Sequence, residues 1–478
     1  MDERDLSDPI LLELVKNALD AVVDEMAIAL VRTAYSNNLK NSMDMSCALC
    51  DADGRLIAQG LTLPLHLGSV PDAMAAVKRK FAAKIRPGDV FILNDPFEGG
   101  THLPDFYFLK PIHVDGDLVG WSASIGHQLD VGGKTAGGNG CDATEIFQEG
   151  LRIPPVRLYD RGEPAEAVFD FIHKNVRVPR EVLGDVRSQV AACLAGERGY
   201  RELLDRYGRA GFAACADALL KQAERLARNA IKAMPDGIYR FTDHIDDDGI
   251  DPGPIPIAVT VTVSGDRLVA DFTGSAPQVK GAINSPIPFT KSAVYACVRH
   301  LIGGDPPNNE GYFRPIEVIA PTATIVNPVL EGVIAVRHCA NGVARQPFRL
   351  VEEGIGTRAE ALGTITANEF QQPLFPRATC SELRFDIAQY LTRHADIALD
   401  DVEDAIHRLP AVIETHRRNT EPFLENLSCV AAVAAGRHTA DIELMADRRC
   451  PTDQSVLQPD RLDNIEIGQM RPALIRIV

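Results

Sequence analysis

The feature that most limits what this chain can become is a reversal at Asp115-Gly116-Asp117, flanked by two long runs of strand-forming residues. Phe106 to Val114 and Leu118 to Gly126 read as the arms of one β-ribbon, since aromatic and β-branched residues suit a pleated surface and Asp-Gly tolerates a tight hairpin turn. Centring the turn on Gly116 pairs residue i with about 232 − i. That register sets Asp105 opposite His127, with directly opposed Cβ atoms about 4.5–5.5 Å apart. His102 lies three positions before Asp105, on a loop able to curl back. Two imidazoles and a carboxylate then converge, a donor set suited to a divalent metal such as Mn²⁺, Zn²⁺ or Fe²⁺ with positions left for water or substrate. On spacing alone, His102 and His127 could equally be solvated polar residues at strand ends.

Composition excludes several classes. The 478 residues, 45% apolar and 24% charged, have globular usage. The formal charge of −17 and pI near 5.2 repel nucleic acid and anionic membrane. No run reaches the roughly 18 apolar residues of a membrane span, and the acidic Met1–Asp8 segment has no signal-peptide pattern, so a soluble, cytoplasmic protein is expected. The ten cysteines are scattered and read as reduced thiols, the lone Cys47-x-x-Cys50 pair included.

The element order predicts an α+β fold of several subdomains, with antiparallel hairpins separate from helical blocks. Asp8 caps a helix whose apolar stripe runs through Leu11, Leu12, Val15, Leu19, Val22, Val23, Met26 and Leu30. Met45–Cys50 and Arg55–Ala58 form a hairpin about Asp53-Gly54, and Val90–Leu93 a further strand. Residues 178–234 have helical spacing broken near Gly208 and Gly211, and Ile255–Val263 with Arg267–Phe272 makes another hairpin. Residues 331–478 hold sixteen Arg and no Lys, against twelve Lys and twenty-one Arg in residues 1–330. Such a break marks either a domain boundary, with residues 1–330 the catalytic region and 331–478 an atypical one, or a shifted reading frame.

Around the ribbon end lie Asn94-Asp95-Pro96-Phe97-Glu98-Gly99-Gly100-Thr101 and Gln128-Leu129-Asp130-Val131-Gly132-Gly133. Asp95, Glu98 and Asp130 could orient an imidazole, and the paired glycines could admit backbone close to an ion or substrate. His66, among apolar neighbours, reads first as a core histidine. His113, His173, His244 and His300 carry no functional signal. Asp246-Asp247-Asp248 lacks calcium-loop spacing and reads as a solvated turn. Gly132-Gly133-Lys134-Thr135 resembles the end of a P-loop, but Gln128 stands where that pattern requires Gly. No phosphate cradle remains, so a nucleotide would bind elsewhere, for instance on a partner chain.

The series Met45-Ser46-Cys47-Ala48-Leu49, Pro64-Leu65-His66-Leu67-Gly68, Pro87-Gly88-Asp89-Val90, Asn94-Asp95-Pro96, Gly99 to Asp105, Asp130-Val131-Gly132-Gly133, Glu149 to Pro155, Asp271 to Ser275 and Asn327-Pro328 resembles the hydantoinase B family over roughly residues 8–330. That family includes N-methylhydantoinase B subunits, the B half of 5-oxoprolinases and the large subunits of acetone and acetophenone carboxylases. The resemblance implies a hetero-oligomer in which a hydantoinase A-type partner binds ATP and the B-type chain holds a metal. In the carboxylase branch the metal is manganese on two His and one Asp, which match His102, Asp105 and His127. The expected activity is ATP-dependent opening of a cyclic amide of the hydantoin or 5-oxoproline kind, with Asp130 or His66 handling protons. The alternatives are a ketone carboxylase subunit and a non-catalytic assembly subunit. A GG-x-GA-type segment usual later in the family is absent.

Overall fold

In the computed structural model the described residues are 9–60, 66, 68–138, 140, 142–302 and 307–330, the side chains of 300–302 excepted. All belong to one compact unit. Asp8, His300's side chain and the atypical region 331–478 lie outside them.

The fold is α+β. Strands β1 (Met45–Asp51), β2 (Leu56–Gln59), β3 (Val90–Leu93), β4 (Asp105–Val114), β5 (Asp117–His127), β6 (Val156–Asp160) and β7 (Glu163–Pro164) form an antiparallel sheet in the order β2-β1-β5-β4-β3-β6-β7. A second sheet, β11-β10-β9-β8, is built from β8 (Gly237–Asp247), β9 (Pro252–Ser264), β10 (Arg267–Asp271) and β11 (Ile316–Ile319), with β11 parallel to β10. The expected hairpins are present. Strand β8 was not expected, although Tyr239, Phe241 and Ile245 alternate along it and pack on the core.

The sequence of β5 explains the layering. Trp121, Ala123 and Ile125 face the core shared with Tyr107, Leu109, the helix Val70–Phe81 and the inner residues of β9. The opposite face carries Gly120, Ser122, Ser124 and Gly126, small residues on which the helix Pro179–Tyr207 lies. A Cβ on Gly126 would come within 2.9 Å of the Gln189 side chain, so only Gly admits that helix so closely. Ser122 and Ser124 donate to the carbonyls of Cys193 and Gln189 at 2.8 and 3.3 Å. The N-terminal helix Pro9–Thr33 packs on the same long helix through Val15, Leu19, Val22, Val23, Met26 and Leu30, as its stripe predicts.

Two local expectations change, at Gly211 and Asp248, and the reading of Cys47 and Cys50 as ordinary thiols holds. The helical block breaks only at Gly208 (φ +74°), and Gly211 lies inside the next helix, Arg209–Lys232. Cys47 and Cys50 are buried, but they sit on opposite faces of β1 in different core clusters, as an i, i+3 pair in a strand must. Asp248 is not solvated: it is buried and accepts N–H bonds from Ile250, Asp251 and Gly281.

Candidate metal centre

The ribbon register is as expected where it matters, by a different route. Asp115 (φ +53°) and Gly116 (φ +90°) form a two-residue turn, pairing Val114 with Asp117 and His113 with Leu118. The ladder then slips by one residue, so that Ile112 faces Gly120 and Val119 is left without a partner. From there the pairing runs unbroken to Asp105 opposite His127. Tyr200, from the long helix, donates its phenol to the Val119 carbonyl at 2.9 Å and lies over Gly120.

The loop that brings in His102 is set by Asn94. Its carboxamide donates to the carbonyls of Leu103 and Leu151 (2.6 and 2.9 Å) and accepts from Ile153 N at 2.6 Å. Asp95 pairs with Arg152 at 2.7 Å and accepts from Phe97 N. The segments around Asn94-Asp95 and Leu151-Arg152-Ile153 thus meet and brace each other, and Asp95 orients a guanidinium rather than an imidazole. Asp105 N donates to His102 O at 3.0 Å, closing the turn that folds the imidazole back over the strand end.

His102 Nδ1 is then 2.7 Å from Asp105 Oδ2, and His127 Nδ1 is 3.4 Å from Asp105 Oδ1. The two rings lie 4.9 Å apart between centroids. One donor atom from each of the three residues falls within 4.8 Å of the others. Ligands about 2.0–2.2 Å from one ion stand up to roughly 4.4 Å apart, so three donors within 4.8 Å of one another could hold one ion after a small movement. Asp105 is 1% exposed. Burial pushes its carboxyl upward, but the charge and hydrogen bonding of His102, with bonds from His127 and His66, outweigh this and hold it well below the usual carboxylate range. Burial pulls His102 down against the opposing charge and hydrogen bond of Asp105. His127 is also pushed down by burial, yet its bond to Asp105 and the charges of Asp44 and Asp105 carry it upward.

The other candidates divide. His66 is brought in: 1% exposed, it bonds Ser46 Oγ through Nδ1 at 3.0 Å and places Nε2 3.7 Å from Asp105 Oδ2. Asp130 is engaged elsewhere. Its carboxylate accepts from Arg177 N (2.6 Å), Arg177 guanidinium (3.0 Å), Gly137 N (2.9 Å) and Gly132 N (3.3 Å), a loop anchor rather than a group placed to move protons. Glu98 is half-buried on the loop surface. The paired glycines approach the chain's own backbone, Gly100 against Asn94 O and Gly132 against Asn175 O. His113 lies in the sheet, while His173 and His244 are exposed. Asp44, Ser46, Thr101 and Tyr107 carry no assigned role from sequence alone. Asp44 Oδ2 is 3.6 Å from His127 Nδ1; Ser46 and Tyr107 share the site's face of the sheet, which strand alternation could have revealed.

Residues 8–373 match the sequence profile described as Hydantoinase B/oxoprolinase. The chain belongs to that family. The match runs past residue 330, where the recognisable motifs end. The beta subunit of caprolactamase from Pseudomonas jessenii is 38% identical over 321 residues, covering 67% of this chain and 55% of the relative. The chain therefore corresponds to little more than half of that relative's length. A crystal structure of the ATP-dependent caprolactamase from Pseudomonas jessenii superposes with a TM-score of 0.69 at 35% identity, over 73% of this chain and 60% of that one. A nucleotide-free acetone carboxylase structure, 20% identical over 72% of this chain and 48% of its own, shares the fold with a TM-score of 0.63. Among the described residues of this hydantoinase B/oxoprolinase member, no helix is long and apolar enough to cross a membrane.

Proposed function

We propose that this chain is the metal-holding B-type component of an ATP-dependent hydrolase that opens cyclic amides, working in a hetero-oligomer with a hydantoinase A-type partner that binds the nucleotide. The observation that carries the reading is the convergence of His102, Asp105 and His127 at one buried strand end. Similarity to a caprolactamase beta subunit, itself named for a lactam-opening enzyme, supports the substrate class.

The donor set fits a divalent cation of the manganese, iron or zinc kind: two imidazole nitrogens and an ionised carboxylate, with His102 and Asp105 buried and His127 partly exposed. His102, Asp105 and His127 would hold it, and when bound it would polarise a substrate oxygen as a Lewis acid. The protein's own groups prepare that place. Asp105 is kept ionised by the charge and hydrogen bonds of its imidazole neighbours, and burial weakens the hold of His102 on its proton. His66, its Nδ1 tied to Ser46, turns Nε2 toward the same carboxylate and would hydrogen-bond a substrate atom or hold a proton there. A ring amide is a resonance-stabilised, poor electrophile, so its activation by ATP falls to the partner.

The test is ATP turnover and ring opening by the chain reconstituted with an A-type partner, across lactams, hydantoins and 5-oxoproline, with small ketones and bicarbonate as the contrasting arm. Metal-dependent amide opening without bicarbonate is expected. Turnover confined to ketone plus bicarbonate would reassign the chain as a carboxylase subunit. Substrate-dependent turnover unaffected by this chain or its metal would reduce it to an assembly role.

A further inference from the structure

Asp105 also meets a pair of linked hydroxyls that are not candidate ligands. Thr101 donates its hydroxyl to Asp105 Oδ2 at 2.5 Å, and Tyr107 donates its phenol to Thr101 Oγ1 at 3.1 Å. Thr101 is 0% exposed, and Tyr107 and Asp105 are each 1% exposed. The direction of the relay follows from the chemistry of the groups. An ionised carboxylate has no proton to give, so the threonine hydrogen points at Asp105, and the threonine lone pair receives the tyrosine hydrogen. The backbone explains why these residues meet. Tyr107 is two positions along β4 from Asp105, on the same face, so the pleat sets the phenol beside the carboxylate. Thr101 immediately precedes His102, so one short loop delivers both a donor to the carboxylate and a candidate ligand.

We propose that Thr101, backed by Tyr107, is a positioning residue of the metal centre, fixing the rotation of the Asp105 carboxylate so that its oxygens meet the ion in one orientation. This rests on the assignment of His102, Asp105 and His127 as the metal-holding set. Partners that orient ligating carboxylates affect affinity without touching the ion, typically by 10–100-fold. A hydroxyl that merely filled a buried site would affect folding stability and leave affinity alone.

The experiment titrates the full chain with Mn²⁺ and Co²⁺, following the visible absorption of bound Co²⁺ and the thermal melt of the metal-free protein. Wild type, Thr101→Val, Thr101→Ser, Tyr107→Phe and His127→Ala are compared. Thr101→Val is expected to weaken binding by about 10–100-fold and alter the Co²⁺ spectrum, Tyr107→Phe to weaken it by about 3–10-fold, and Thr101→Ser to remain within about threefold of wild type. Wild-type affinity and spectrum in a folded Thr101→Val protein would overturn the proposal while His127→Ala still reports on the metal site. If Thr101→Val does not fold, Tyr107→Phe decides, and unchanged affinity in it overturns the relay. A wild-type chain that takes up neither ion overturns the metal assignment, and the positioning role with it.

Discussion

Asp105 stands directly opposite His127 because the β4–β5 ladder slips by one residue between Ile112 and His113. Without that slip the two-residue turn at Asp115-Gly116 would place Gly126 opposite Asp105. A one-residue change of register turns every side chain of a strand to the other face, so the site depends on an irregularity that lies two pairs from the turn, with the first pair beyond it, Ile112 and Gly120, seven pairs from Asp105 and His127.

Removing a donor should empty the centre. His127→Ala or Asp105→Asn is expected to lower bound manganese, iron or zinc from near one ion per chain to background, since each removes one of three convergent donors. Elemental analysis of the purified full chain reads this directly, and full occupancy in His127→Ala would sink the ligand assignment.

Deleting Val119 removes the unpaired residue of the bulge. A straightened ladder would pair Ile112 with Gly120 directly after His113 with Leu118, and Asp105 would stay opposite His127. Metal uptake should therefore remain near that of wild type, checked by the same analysis together with circular dichroism. A deletion variant that folds and loses its metal would show that the bulge itself, not only the register beyond it, shapes the site.

The bulge is held from the helix above it, so that contact should be sensitive to a single methyl group. A Cβ on Gly120 would come within 2.4–2.9 Å of the Tyr200 ring and hydroxyl. Gly120→Ala is expected to cost about 1–3 kcal/mol by overpacking, and Tyr200→Phe about 1 kcal/mol through the bond lost to Val119 O. Denaturant unfolding measures both, and a neutral Gly120→Ala would mean the helix can lift off the strand at no cost.

Asp130 should confer stability that acid removes. Burial pushes its carboxyl up, but the N–H groups of Arg177, Gly137 and Gly132 with the Arg177 guanidinium hold it below the ordinary aspartate value. A depressed folded pKa contributes stability that is complete above the unfolded value, about 3.9, and is lost as pH falls through the lower folded one. Asp130→Ala is expected to cost about 1–3 kcal/mol near pH 7 and to flatten the decline of stability below about pH 4. Melting curves across pH test this; an unchanged acid limb in the variant would place the titrating groups elsewhere.

Much of the site was legible because strand chemistry is local. Aromatic and β-branched residues marked the arms of the ribbon, Asp115-Gly116 marked its turn, and alternation of side chains then made neighbours of residues 22 positions apart, Asp105 and His127. The same alternation ran through Tyr239, Phe241 and Ile245 of β8 and through Ser46 and Tyr107 beside the site, where it went unread. Asp130 was misjudged for a different reason. Its residue type suits proton transfer, but the partner that occupies it, Arg177, is remote in sequence and arrives only when the loop closes.

The amino-acid sequence by itself determined the ribbon, its approximate register, the helical stripe of Pro9–Thr33 and the donor types available at the strand end, since each depends on propensity and periodicity among near neighbours. Only the tertiary structure decided which polar residues serve the centre. Asn94 joining two distant loops, Tyr200 holding the Val119 carbonyl, and His66 set against Asp105 all depend on packing between segments far apart in the chain, where contact is fixed by the shape of the whole core rather than by local preference.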